Sequence, residues 1–184
     1  MLSWGLSARN RISILCVISR VTFASVLLPW FLIGGLSKIA GLALSVGPAV
    51  GNLSLTLGAY FVYAPWQVIS LNEGLPTPAY PVQIYVALMV FLEIALPVLI
   101  VIGWKARIAT VALALHQIIS VVLLQSSGNF GALFDASPFD IVPDQLLLWV
   151  YLLVPLALFG AGPLSMDSAW RRISAKRSRR QSTL

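Results

Sequence analysis

The chain has one cysteine, Cys16, one histidine, His116, and only six acidic residues against twelve lysines and arginines. A lone cysteine forms no intrachain disulfide and supplies no paired-cysteine motif, so redox compartment is not readable from it. One histidine and one cysteine also make no haem or iron–sulfur ligand set, and no glycine-rich dinucleotide fingerprint is present. Charge is scarce altogether: 10% of residues are charged, 59% are hydrophobic, and the mean hydropathy is +0.91. Such values lie well outside the soluble range and indicate an integral membrane protein. A length of 184 residues accommodates about four spans of roughly 20 residues in a single domain covering 1–184.

Four apolar stretches fit that count: about 12–35, 82–104, 108–124 and 145–161. The first follows Arg9 and Arg11 but is too long for a secretory signal and has no small-x-small cleavage site, so it reads as a retained helix. The positive-inside bias places Arg9, Arg11, Lys105, Arg107 and the basic tail at 168–184 on the cytoplasmic side, which requires an even number of crossings. Both termini are then cytoplasmic. Clustered beside apolar segment ends, the basic residues need no nucleic-acid partner. The tail reads as an orientation signal attracted to anionic headgroups.

The uncharged stretch from Ile39 to Tyr63 could by length be a further span, but five crossings would violate the charge bias, and Gly41, Gly47, Pro48, Gly51 and Gly58 interrupt it. It is expected to form a partly helical extracytoplasmic cap in the interface between the first two spans, with Tyr60, Tyr63 and Trp66 at headgroup level. The expected fold is an all-α membrane protein, a four-helix transmembrane bundle carrying this cap.

Three ionisable residues, Arg20, Glu93 and His116, fall inside separate spans, where a charge costs roughly 2.5–3.5 kcal/mol on insertion scales and marks a functional site by default. Glu93 and His116 lie near their span centres and Arg20 about three residues inward of its own, an offset of about 5 Å that an arginine stem covers. An Arg20–Glu93 contact is therefore expected. Ala109, Ala112, His116 and Ser120 form a small, polar face on the third span. Tyr85, Met89, Glu93 and Pro97 share a stripe on the second, and Pro97 frees the Glu93 carbonyl from its helical bond.

Two uses of this polar niche remain open. One is a satisfied network that fixes helix facing. The other is a pocket exchanging hydrogen bonds or protons with a small lipophilic molecule such as a quinone, whose reduction would need a partner to bring electrons. Lys38 either snorkels to the interface, the safer reading, or holds an anionic group. Asp135, Asp140 and Asp144 match no calcium loop and read as a solvated acidic loop.

Arg20, Gly35 and Lys38 in "GGLSK", then Glu93, Pro97, Gly103 and Arg107 in "EIALPVLIVIGWKAR", and Gly160, Gly162, Ser165 and Asp167 in "GAGPLSMD" resemble a known pattern. The chain looks like a DoxX family membrane protein from its first span through Asp167. The resemblance implies a four-helix bacterial inner-membrane protein linked to quinone-dependent oxidation. Arg20, Lys38 and Glu93 match family positions, whereas His116 rests on its depth. The expected function is a quinone-interacting redox subunit or accessory, with Glu93 and His116 as proton-handling groups, and Arg20, Lys38, Tyr85 and Ser120 around the ligand. No metal and no covalent cofactor is expected. The rivals are a non-catalytic assembly subunit of a larger membrane complex and a small permease that would need oligomerisation.

Overall fold

The computed structural model describes residues 7–72, 78–126 and 141–160, together with 162, 165–168, 170 and 174. It is predominantly helical. The first long helix comprises α1 (Ala8–Thr22), a π-helical turn (Phe23–Leu27) and α2 (Leu28–Ser37) without a break. Ser7 caps its start, its hydroxyl accepting from the Asn10 N–H at 3.4 Å. Pro29 accounts for the π turn: its ring has no N–H and crowds the carbonyl four residues back, and a locally wider winding relieves both problems. Accordingly, the Leu28 N–H donates to the Phe23 carbonyl five residues earlier.

A small, partly helical unit follows. Strands β1 (Ala49–Val50) and β2 (Leu55–Thr56) pair antiparallel, and helices α3 (Leu57–Tyr63) and α4 (Pro65–Asn72) come next. Gln83 of the second long helix clips this unit down. Its side-chain oxygen accepts from the Asn52 N–H at 2.8 Å while its amide donates to the Pro78 carbonyl at 2.7 Å. Gly51 allows the clip, because its φ of +73° suits glycine and a Cβ there would stand 2.6 Å from the Gln83 oxygen.

Helix α5 (Tyr80–Ile102) begins with Pro81 in its first turn, where a missing N–H is harmless. It ends at Gly103, whose left-handed conformation lets its own N–H and that of Trp104 return to the last helical carbonyls. Helices α6 (Ala106–Ser126) and α7 (Ile141–Phe159) complete the chain's long elements. Packing runs α2 on α5, α5 on α6, α6 on α7 and α7 on α1, which closes four long helices into a ring. Its interior is filled by Phe23, Leu27, Phe31, Leu96, Ile100, Leu113 and Leu156. A second core seats Tyr60 and Tyr63 of α3 against Val86, Met89 and Val90 of α5.

The outer surface is apolar too, with Ile18, Val21, Ile33, Phe91, Ile108 and Val122 all exposed. An apolar exterior around an apolar core belongs in lipid. Three helices, Asn10–Ser37, Tyr80–Ile102 and Ala106–Leu123, are long and apolar enough to cross a membrane. The expected apolar stretches 12–35, 82–104 and 108–124 coincide with these three helices to within a few residues. Asp135 and Asp140 lie outside the described residues, as do the Asp144 side chain and most of the basic tail.

One placement is corrected. Tyr60 and Tyr63 are 0% and 1% exposed and belong to the core beneath α3, whereas Trp66, at 50%, faces outward. In a helix as short as α3, an i,i+3 aromatic pair shares one face, and that face is turned onto α5 and α6.

Candidate functional site

Gly34 and Gly35 let the end of the first helix approach α5 closely. A Cβ on Gly34 would stand 3.1 Å from the nearer Glu93 carboxylate oxygen, and one on Gly35 would collide with the Ile94 side chain. Into the space thus left at the helix end, Lys38 turns inward. Its ammonium stands 2.7 Å from Oε1 and 2.7 Å from Oε2 of Glu93, and donates also to the Gly34 carbonyl at 3.2 Å. The two side chains are only 12% and 10% exposed. A lone carboxylate at this depth would be costly, and the ammonium offsets that cost.

Tyr63 brings the 38–72 unit into the same centre. Its hydroxyl donates to Glu93 Oε2 at 2.6 Å, a charge-assisted bond. Its ring lies beneath the Lys38 ammonium, 5.5 Å from the centroid, and meets the His116 ring edge-on at 5.5 Å. Burial, and then the neighbouring carboxylate, push the Tyr63 hydroxyl far above its ordinary range, so it remains a donor.

His116, 4% exposed on α6, points its Nε2 at the Met89 carbonyl, 3.1 Å away. A carbonyl only accepts, so Nε2 carries the proton, and Nδ1 accepts from the Gln117 amide at 3.4 Å. One turn on, the Ser120 hydroxyl donates to the His116 carbonyl at 2.9 Å and lies beside the Tyr63 hydroxyl. Tyr85, half-buried, packs on the cluster that contains Tyr60 and Tyr63. The Tyr60 hydroxyl is fully buried and has no hydrogen-bond partner among the described residues.

Five of the six residues singled out from sequence thus gather around Tyr63: Glu93, His116, Lys38, Ser120 and Tyr85. Arg20 does not join them. Glu93 stands opposite Gly34, fourteen residues beyond Arg20, which is about 20 Å along the axis at 1.5 Å per residue. The expected Arg20–Glu93 contact is replaced by Lys38–Glu93. Equating span midpoints misaligned the pair, because the C-terminal end of the first helix, not its centre, faces Glu93. The preference for a snorkelling Lys38 is corrected with it.

Tyr63, the residue linking all the others, was missed because an uncharged, glycine-interrupted stretch reads as interfacial. The available signal was the Tyr60–Tyr63 spacing, which aligns two hydroxyls on one short helix. Among the described residues, no three of His, Cys, Asp and Glu stand close enough to share a metal ion. No family model, curated protein or solved structure matches the chain.

Proposed function

We propose that the chain is a DoxX-like four-span protein of the bacterial inner membrane, with α7 as its fourth crossing, both termini cytoplasmic and the 38–72 unit as an extracytoplasmic cap. Its buried cluster receives a quinone headgroup, and the protein serves as a quinone-interacting redox subunit or accessory. The observation carrying this reading is the Tyr60 hydroxyl, a fully buried donor without a described acceptor, in the same core cluster as the Tyr63 that bonds Glu93. An unanswered buried hydroxyl costs about 1–3 kcal/mol, and a ligand carbonyl would answer it. The Glu93–Tyr63 contact at 2.6 Å and the adjoining imidazole supply groups that hold and pass protons. Quinone reduction takes up two protons and two electrons; these residues bear on the protons, and the electrons come from a partner protein.

A second reading, a non-catalytic assembly subunit, is favoured by a different observation. Both Glu93 oxygens and the His116 Nε2 already have protein partners, as in a network that fixes helix facing. Mass spectrometry of the mildly purified protein separates the two. Quinone retained by wild type and depleted in Tyr60→Phe and His116→Ala supports the pocket. Equal retention in all three, with Tyr60→Phe as stable as wild type or more so, supports packing.

A further inference from the structure

The opposite end of the molecule carries a concave site, independent of the buried cluster. A groove of about 860 Å³ opens between the start of α1, the α5–α6 turn and the segment after α7. That volume lies within the range of small-ligand sites, roughly 300–1,000 Å³. Gly160, Gly162, Ser165 and Asp167 of the motif "GAGPLSMD" contribute to one wall. Gly160 and Gly162 take φ of +81° and +75°, so the chain turns sharply after α7, and a Cβ on Gly162 would stand 3.1 Å from that of Cys16. Asp167 then locks the turn, accepting from the Lys105 and Ala106 N–H groups at 2.9 and 3.3 Å while its own N–H donates to the Gly103 carbonyl at 3.1 Å.

With the Asp167 carboxylate engaged by backbone N–H groups, the groove's cations are left for another anion. Neither Lys105 nor Arg107 is ion-paired with a described carboxylate. The Lys105 ammonium lies over the Trp104 ring at 5.7 Å, and Arg107 has only a long bond of 3.4 Å from Nη2 to the Phe159 carbonyl. Around these charges the walls are apolar and exposed: Ile108 is 68%, Phe159 42% and Trp170 71% accessible. Two cations above an apolar, aromatic rim, at the ends of long apolar helices, match a phosphate with acyl chains beneath it.

The geometry points to an anionic glycerophospholipid site, in which Lys105 and Arg107 hold the headgroup phosphate while the chains descend along Ile108 and Phe159. The charge complementarity fits phosphatidylglycerol and disfavours a zwitterionic lipid, whose ammonium would face two cations.

Native mass spectrometry after reconstitution in nanodiscs of equal phosphatidylglycerol and phosphatidylcholine tests the site on the full chain. Wild type should retain phosphatidylglycerol preferentially, and Lys105→Gln/Arg107→Gln should lower that retention about tenfold or more. Lys176→Gln/Arg177→Gln, the same charge change in the headgroup-attracting tail, should lower it far less. Should the double variant fail to fold, Lys105→Gln alone, which removes no ion pair to a described carboxylate, must still lower retention several-fold. Equal retention in wild type and groove variants, an equal loss from the tail variant, or no preference between the two lipids would overturn the proposal. So would displacement of the lipid by millimolar inorganic phosphate, which would make the site one for a free anion.

Discussion

The Lys38 ammonium stands equidistant from the two carboxylate oxygens of Glu93, at 2.7 Å from each, and joins the end of the first helix to the middle of α5 across 55 residues of sequence. Breaking such a pair from one side leaves a solitary buried charge, a loss of about 3–5 kcal/mol. Lys38→Met and Glu93→Gln should each lower the detergent-solubilised unfolding midpoint strongly. The double variant should be more stable than the weaker single. Thermal unfolding of all four proteins checks this, and additive losses would mean that the two side chains do not interact.

Tyr63→Phe removes the hydroxyl bonded to Glu93 but keeps the ring against His116. A hydrogen bond to a charged group is worth about 1.5–3 kcal/mol, so a destabilisation of that order is expected.

The same hydroxyl carries a pH dependence. Unfolded tyrosine releases its proton near pH 10, whereas burial and Glu93 keep Tyr63 protonated above that value in the folded protein. The folded state then binds more protons than the unfolded one, so this contribution is complete below about pH 10 and declines as pH rises further. Unfolding of wild type and Tyr63→Phe between pH 8 and 11 should show the wild-type advantage shrinking only at the alkaline end. An advantage that grew there would reverse the assignment.

Gly35→Ala should separate α2 from α5, since the new methyl group meets Ile94. Overpacking of this kind costs about 1–3 kcal/mol. Ile94→Ala in the same chain, which removes the γ-carbon that the methyl group meets, should recover part of the loss, and an unfolding midpoint that Ile94→Ala leaves unmoved would place the strain elsewhere.

Asp167→Ala uncovers the N–H groups of Lys105 and Ala106 at the start of α6. Loss of a cap costs about 0.5–2 kcal/mol, and Asp167→Asn, which keeps one acceptor oxygen, should lose less. Hydrogen exchange at the α5–α6 turn reports the difference as faster exchange in the alanine variant.

Where a property depended on local chemistry, the sequence was readable. The long helices follow from uninterrupted apolar runs and their glycine and proline ends, and the α6 face with His116 and Ser120 from spacing alone. Depth pairing between helices was not readable, because apolar length marks where each helix runs and not how far one is shifted along its neighbour. Arg20 was set against Glu93 on that assumption. The inward direction of Lys38 was unreadable for a related reason, since a cation after a helix end is equally compatible with facing outward or inward until the neighbour across the gap is known. Tyr63 needed tertiary information, as nothing in 39–63 distinguishes a ring that anchors to headgroups from one that closes a buried cluster.

The π turn has a consequence for phase. Buried positions along the first helix recur at Ser19, Phe23, Leu27, Phe31 and Gly35, every fourth residue, and in an ideal α-helix such a series would drift about 40° at each step. A wider turn beneath Pro29 winds less per residue and takes back part of that rotation. Deleting one residue within Phe23–Leu27 would swing everything beyond it by about 100°, sending Lys38 toward the acyl chains and leaving the Glu93 carboxylate without its cation. A single surplus residue in the spiral thus decides which way the far end of the helix looks.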